Sequence, residues 1–126
     1  MAIVNVNEQS FDDITLTGTV LLDWWAAWCG PCRAFAPIYE AAAARHPDVV
    51  FGKIDTTSEP GLAASFGIRS IPTLMVHRDG LLPLAEPGVL PGQVLDELIG
   101  EVKRLDMAEV RRKIADEARR GALGAG

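Results

Sequence analysis

Cysteine is almost absent from this chain: Cys29 and Cys32 are the only two in 126 residues. A zinc site, which takes about four ligands, would have to draw on His46 and His77, the only other candidates of the usual kind. No apolar run approaches the ~18 residues that a bilayer demands, so nothing here reads as a membrane span. The opening Met1-Ala2-Ile3-Val4-Asn5-Val6-Asn7 lacks a basic region and a cleavable apolar segment, and does not read as a secretory signal. That favours the cytoplasm, where thiols stay reduced and a lone cysteine pair is more often catalytic than structural. There is no Gly-rich nucleotide loop, and so no bound cofactor is expected. There is also no internal repeat, and no domain boundary before residue 105. Basic residues are scarce in the body: residues 1–102 carry 5 Lys+Arg against 13 Asp+Glu, a net −8. Residues 103–126 carry 7 against 4, a net +3. An acidic body argues against a nucleic-acid partner. The length supports one domain with one core.

What the chain does contain is concentrated in Trp28-Cys29-Gly30-Pro31-Cys32. Thiols two residues apart can close a disulfide within a single turn, and so cycle between redox states without large chain movement. Upstream, Thr19 to Trp25 is a near-continuous apolar run, as in a strand covered on both faces, with Asp23 inside it. Downstream, Phe35, Ile38, Tyr39, Ala42 and Ala43 recur at helical spacing from Arg33 to Arg45, with Pro37 expected to kink the helix. A thiol pair on a strand-to-helix turn beside a buried carboxylate points to redox chemistry. A structural disulfide or half of a zinc site are the alternatives.

The remaining elements follow from local signals. Ile3 to Asn5 predicts a short strand, and Ser10 is placed to cap a helix from Phe11 to Leu16. Val49 to Asp55 predicts a second central strand, and Glu59 to Phe66 a short helix stopped by Gly67. Thr73 to Arg78 predicts a third buried strand. Asp79-Gly80 then signals a hairpin, with Leu81 to Glu86 returning antiparallel. Pro91 fits the first turn of a helix whose apolar stripe is Leu95, Leu98, Ile99, Val102 and Leu105. Asp106 and Glu109 form a capping-box pattern, and Leu105 and Val110 stand where a hydrophobic staple would put them. They predict an additional helix from Met107 to Arg120, with Val110, Ile114 and Ala118 on one face, Val110 and Ile114 packing back on the body. Residues 121–126 read as a flexible tail. Strands alternating with helices and a closing hairpin give an α/β fold: a central mixed sheet flanked by helices.

The chain resembles the thioredoxin family over residues 2–104. The resemblance is carried by Asp23-Trp24-Trp25-Ala26-Ala27-Trp28-Cys29-Gly30-Pro31-Cys32, by Val50-Phe51-Gly52-Lys53-Ile54-Asp55, by Phe66-Gly67-Ile68-Arg69-Ser70-Ile71-Pro72-Thr73-Leu74, and by Gly88. The helix after residue 106 lies beyond the usual family end, so the organisation reads as a 1–105 domain, a 106–120 helix and a 121–126 tail.

Cys29, just before the helix, is read as the nucleophile, since free N–H groups and the positive dipole end favour a thiolate there. Cys32, one turn further in, is read as the resolving thiol. The resemblance implies that Asp23, its pKa raised by burial, takes the proton from Cys32, and that Lys53 matches the family lysine near that acid. It also implies a cis bond before Pro72, exposing the Ile71 backbone to an extended substrate strand. Gly30 leaves room for a substrate backbone, and the resemblance implies that Pro31 favours a reducing balance. Trp28, Gly30, Pro31, Ile71, Gly88 and Val89 are expected to form a flat apolar surface around Cys29. Trp24 and Trp25 read as packing residues, and Phe35, Phe51 and Phe66 as core.

The expected activity is protein-disulfide reduction by a monomer with no metal and no bound cofactor, only the redox-active Cys29–Cys32 disulfide. The resemblance implies an NADPH-dependent flavoprotein, thioredoxin reductase, as donor, and targets such as ribonucleotide reductase, peroxiredoxins or methionine sulfoxide reductases. An oxidase or isomerase on the same fold, and a redox-independent interaction module, are the competing readings.

Overall fold

The computed structural model describes residues 3–81 and 84–124. Five strands, β1 (Val4–Asn5), β2 (Thr19–Trp25), β3 (Val50–Asp55), β4 (Thr73–Arg78) and β5 (Leu84–Pro87), form one sheet in the order β1-β3-β2-β4-β5. β1, β3 and β2 run parallel, and β4 and β5 are antiparallel to their neighbours. Five helices accompany them: α1 (Phe11–Thr15), α2 (Gly30–Arg45), α3 (Pro60–Ser65), α4 (Gly92–Lys103) and α5 (Met107–Gly124). This is the expected mixed sheet with flanking helices.

Side chains alternate across β2, and this alternation builds two cores. Leu21 faces Phe35 and Tyr39 of α2 and Leu95 and Ile99 of α4. Val20, Leu22 and Trp24 face the other way, against Phe11 of α1 and Leu62 and Ala63 of α3. Each large apolar side chain buried here contributes ~1.5–3 kcal/mol. β2 is covered on both sides and hydrogen-bonded on both edges, so it is the rigid centre from which the reactive turn projects.

Tyr39 ties α2 to the sheet. Its buried hydroxyl lies 3.0 Å from the Leu21 carbonyl and 2.8 Å from that of Gly52, donating between two strands. Gly52 has no room for a side chain: a Cβ there would lie 2.8 Å from Val6 Cγ2 and 2.9 Å from Leu22 Cδ2.

Several boundaries differ from the sequence expectation. α2 starts at Gly30 rather than Arg33, because Cys29 itself caps it. Ser10 forms no side-chain cap; its hydroxyl accepts instead from the Asn7 N–H at 3.1 Å. Pro91 is the cap of α4 rather than part of its first turn. Asp79-Gly80 does turn, with positive φ at both residues and a Leu81 N–H to Arg78 carbonyl bond of 3.0 Å. Leu81 nevertheless stays outside the return strand, in which Leu84 pairs with Val76. The turn is held elsewhere: Asp79 N–H donates to the Gly18 carbonyl at 2.9 Å, and Gly18 N–H to Asp79 Oδ1 at 2.8 Å. Part of the expected strand, residues 82–83, lies outside the described residues.

The chain end differs most. Asp106 Oδ1 accepts from the N–H groups of Ala108 and Glu109, as a cap should, but Glu109 pairs with Lys113 at 3.6 Å instead of reaching back. α5 runs on to Gly124, so four residues of the expected tail are helical, and the last two lie outside the described residues. The expected packing of its stripe on the body fails. Met107 is buried, but Ile114 is 41% exposed and Val110 only partly covered.

Candidate active site

The site forms where β2 ends and α2 begins. Cys29 has extended backbone angles and closes the helix as its N-cap, its sulfur 3.2 Å from the Cys32 N–H. Pro31 supplies no N–H, and the Arg33 N–H is already bonded to the Cys29 carbonyl. Of the N–H groups that open the helix, the one on Cys32 is therefore aimed at the sulfur, an arrangement that stabilises negative charge there. Cys29 and Cys32 are joined as a disulfide, and both are nearly buried, at 5% and 3% exposure. They pack with Ala26, Trp25 and Ile71 in a small cluster of their own.

Opposite the pair, the Ile71–Pro72 peptide bond is cis. The Ile71 carbonyl oxygen lies 3.6 Å from Cys29 Sγ. The Pro72 carbonyl accepts from the Gly88 N–H at 2.8 Å, which draws the end of β5 up beside this turn. Gly88 has φ +97°, a conformation that side-chain-bearing residues rarely adopt. Next to it Val89 is exposed, and on the near side Trp28 is 72% exposed.

Between Trp28 and Ile71 lies a groove of about 190 Å³, lined also by Thr56, Ala63, Ile68, Arg69 and Ser70. The structure thus gathers Trp28, Cys29, Cys32, Ile71 and Pro72, with Gly88 held to Pro72. Gly30 and Pro31 are exposed in the first turn of α2. The sequence reading left Thr56 and Ala63 out of the groove. Arg69 and Ser70 stood in the motif string, without a role.

Asp23 sits in the middle of β2, fully buried, with no hydrogen-bond partner for either carboxylate oxygen among the described residues. Burial raises its pKa from the ordinary 3.8 to about 6, and the charge of Lys53 pulls partly against that rise. Lys53 is its register partner on β3. The ammonium does not contact the carboxylate but lies 4.6 Å from the centroid of the Trp25 ring, a cation–π placement. Its pocket, about 320 Å³, is lined by Asn5, Val6, Asn7, Trp25, Asp55, Ser58 and Glu59 as well.

Neither histidine joins the cysteines. His46 lies at the far end of α2, ~24 Å along the helix, with Nε2 2.7 Å from Asp96 Oδ1. His77 is buried in the opposite core layer against Phe11 and Phe66. Among the described residues no cluster of three or more His, Cys, Asp or Glu side chains could hold a metal ion.

Comparison with known proteins agrees with this geometry. The family model described as Thioredoxin matches residues 2–103. A protein designated thioredoxin 2 from Streptomyces coelicolor is 49% identical over 115 residues, covering 90% of this chain and 86% of that protein. The thioredoxin of Bacillus subtilis is 40% identical over 102 residues, covering 80% and 98% respectively. Among solved structures, chloroplastic thioredoxin z superposes with a TM-score of 0.74 at 25% identity, covering 82% of this chain and 96% of that one. A capped, redox-active cysteine pair facing a cis proline, on a sheet of this order and with these relatives, settles the assignment: the chain belongs to the thioredoxin family and is a protein-disulfide reductase working by thiol–disulfide exchange.

Proposed function

We propose that the two cysteines divide the work, with Cys29 attacking and Cys32 resolving. The observation that carries this is the Cys32 N–H aimed at Cys29 Sγ at the head of α2. It favours the Cys29 thiolate, while no hydrogen-bond donor to Cys32 Sγ is found among the described residues. The Cys29 thiolate attacks one sulfur of a target disulfide, forming a mixed disulfide and expelling the first target thiolate. Cys32, deprotonated, then attacks Cys29 Sγ, closes the Cys29–Cys32 disulfide and expels the second thiolate. Two electrons pass to the target, and two protons complete its thiols.

Asp23 is the base that receives the Cys32 proton. A carboxyl whose pKa burial has brought to about 6 accepts and returns a proton near neutral pH, where an ordinary carboxylate would be a much weaker base. Lys53 tunes that pKa downward by its charge without occupying the carboxylate. An extended target segment lies along Ile71 and Pro72, its backbone pairing with the Ile71 main chain. Trp28, Gly30, Pro31, Gly88 and Val89 flank it with little side-chain selectivity.

The site is complete within one chain, so a monomer is the catalytic unit. It works in the cytoplasm, maintaining cell redox homeostasis, with electrons supplied by an NADPH-dependent flavoprotein thioredoxin reductase. Candidate targets are ribonucleotide reductase, peroxiredoxins and methionine sulfoxide reductases. NADPH oxidation should therefore proceed when such a reductase, this protein and insulin are mixed, and should stop if any one is omitted. Reduction of insulin with dithiothreitol but never with the reductase would overturn the donor assignment.

A further inference from the structure

α5 lies outside the 2–103 family match and is not used by the chemistry above. It is amphipathic: Met107, Val110, Ile114 and Ala118 recur at helical spacing, flanked by Arg111 and Lys113. Ile114 is 41% exposed and Arg111 is exposed, so the apolar stripe lacks a partner beyond its first turn. The end of β5, Leu90 and α4 form a groove of about 330 Å³ with the complementary character. Leu90, Val94 and Leu98 supply its apolar wall, and Glu86, Glu97 and Glu101 its acidic rim. Val94 is 39% exposed, and none of the three glutamates forms an ion pair among the described residues.

We propose that the acidic groove between β5 and α4 receives the basic, apolar face of α5 from a second copy of the chain. Charge complementarity singles out this occupant: the groove is rimmed by Glu86, Glu97 and Glu101, and α5 carries 5 Lys+Arg against 3 Asp+Glu, a net +2. An amphipathic helix laid in a groove presents anchors one turn apart, as Val110 and Ile114 do, to apolar residues of matching spacing such as Val94 and Leu98.

The junction between α4 and the chain's own α5 is anchored. Arg78 Nη1 donates to the Val102 carbonyl at 2.8 Å and fixes the end of α4, Asp106 caps the start of α5, and Met107 is buried. No α5 residue lines the groove. Two chains that exchange α5 reciprocally fill both grooves and close the assembly as a two-fold dimer. Glu86, Glu97 and Glu101 belong to no part of the catalytic turn, so the exchange leaves the Cys29–Cys32 groove open.

The test is sedimentation equilibrium of the full chain in dithiothreitol, which removes intermolecular disulfides, from about 10 µM to about 1 mM. The expected result is a reversible monomer–dimer equilibrium at about 0.02 M salt, weakened at least about tenfold at about 0.5 M salt. Glu97→Lys with Glu101→Lys should leave a monomer that still reduces insulin at the wild-type rate. Adding Arg111→Glu and Lys113→Glu to that variant should restore the dimer, which a merely misfolded variant could not do. A monomeric mass for the wild type at every concentration and low salt would overturn the proposal. So would a dimer indifferent to the glutamate reversals.

Discussion

Asp23 and Lys53 occupy paired positions on the parallel strands β2 and β3, yet they form no ion pair. Among the described residues the carboxylate has no hydrogen-bond partner, and the ammonium sits over the Trp25 ring. A direct bridge would hold Asp23 ionised and useless as a proton acceptor near neutrality. At a distance, the same lysine only offsets part of the burial effect. Replacing Lys53 by Met should therefore raise the Asp23 pKa above about 6, and carbonyl-resolved NMR titration would follow it. An unchanged or lowered value would show that Lys53 does not act on Asp23.

The same burial sets the pH dependence of stability. The Asp23 pKa is raised from 3.8 to about 6 on folding, so the folded state holds the proton more tightly than the unfolded chain. Stability is fully present below pH 3.8 and is lost as pH rises through about 6. The two-unit rise corresponds to about 3 kcal/mol. Asp23→Ala should gain up to that amount relative to wild type at pH 8, and nothing at pH 4, in urea unfolding at the two pH values. It should also slow the release of the second target thiol.

His77 carries the opposite sign. Burial lowers its pKa from the ordinary 6.5, so the unfolded chain binds its proton more readily. The contribution is present above pH 6.5 and is lost as pH falls through the depressed folded value. His77→Phe, which keeps a ring against Phe11 and Phe66, should shift the change in melting temperature from neutral pH to pH 5 in the stabilising direction relative to wild type. A slope equal to that of wild type would contradict this.

Gly52 tests the packing of β1 on β3. An added Cβ would lie within 3 Å of both Val6 and Leu22 side chains, so Gly52→Ala should cost ~1–3 kcal/mol by denaturant unfolding. A neutral result would mean that β1 yields without loss.

How much of this was legible in the sequence depended on the range of the interaction. The strand bearing Asp23 is marked by its own apolar run and could be read directly. The cap at Cys29, which starts α2 three residues before Arg33, instead depends on a sulfur accepting from the Cys32 N–H and carries no usual capping residue. The hold on the Asp79-Gly80 turn could not be read either: it is pinned to Gly18, 61 residues away, and no local pattern records that bond. The end of α5 was misjudged because the glycines and alanines after Arg120 resemble a tail in composition. The packing expected of Val110 and Ile114 assumed that an apolar stripe finds its partner in its own chain, and Ile114 remains exposed. Thr56 and Ala63 reach the groove only because the ends of β3 and α3 converge there, which spacing does not reveal.

Trp28 offers a test of target binding separate from chemistry. It is 72% exposed, so Trp28→Ala should leave the melting temperature within a few degrees of wild type. It should lower kcat/KM for a protein disulfide while sparing a small one such as dithionitrobenzoate. Equal losses on both substrates would place Trp28 in the chemical step instead.

The division of labour between the two cysteines is tested most directly by trapping. Cys32→Ser, mixed with an oxidised target and analysed by mass spectrometry without reductant, should accumulate a mixed disulfide at Cys29. Cys29→Ser should trap nothing. Equal trapping by both variants, or trapping at Cys32 alone, would contradict the roles derived from the capped turn.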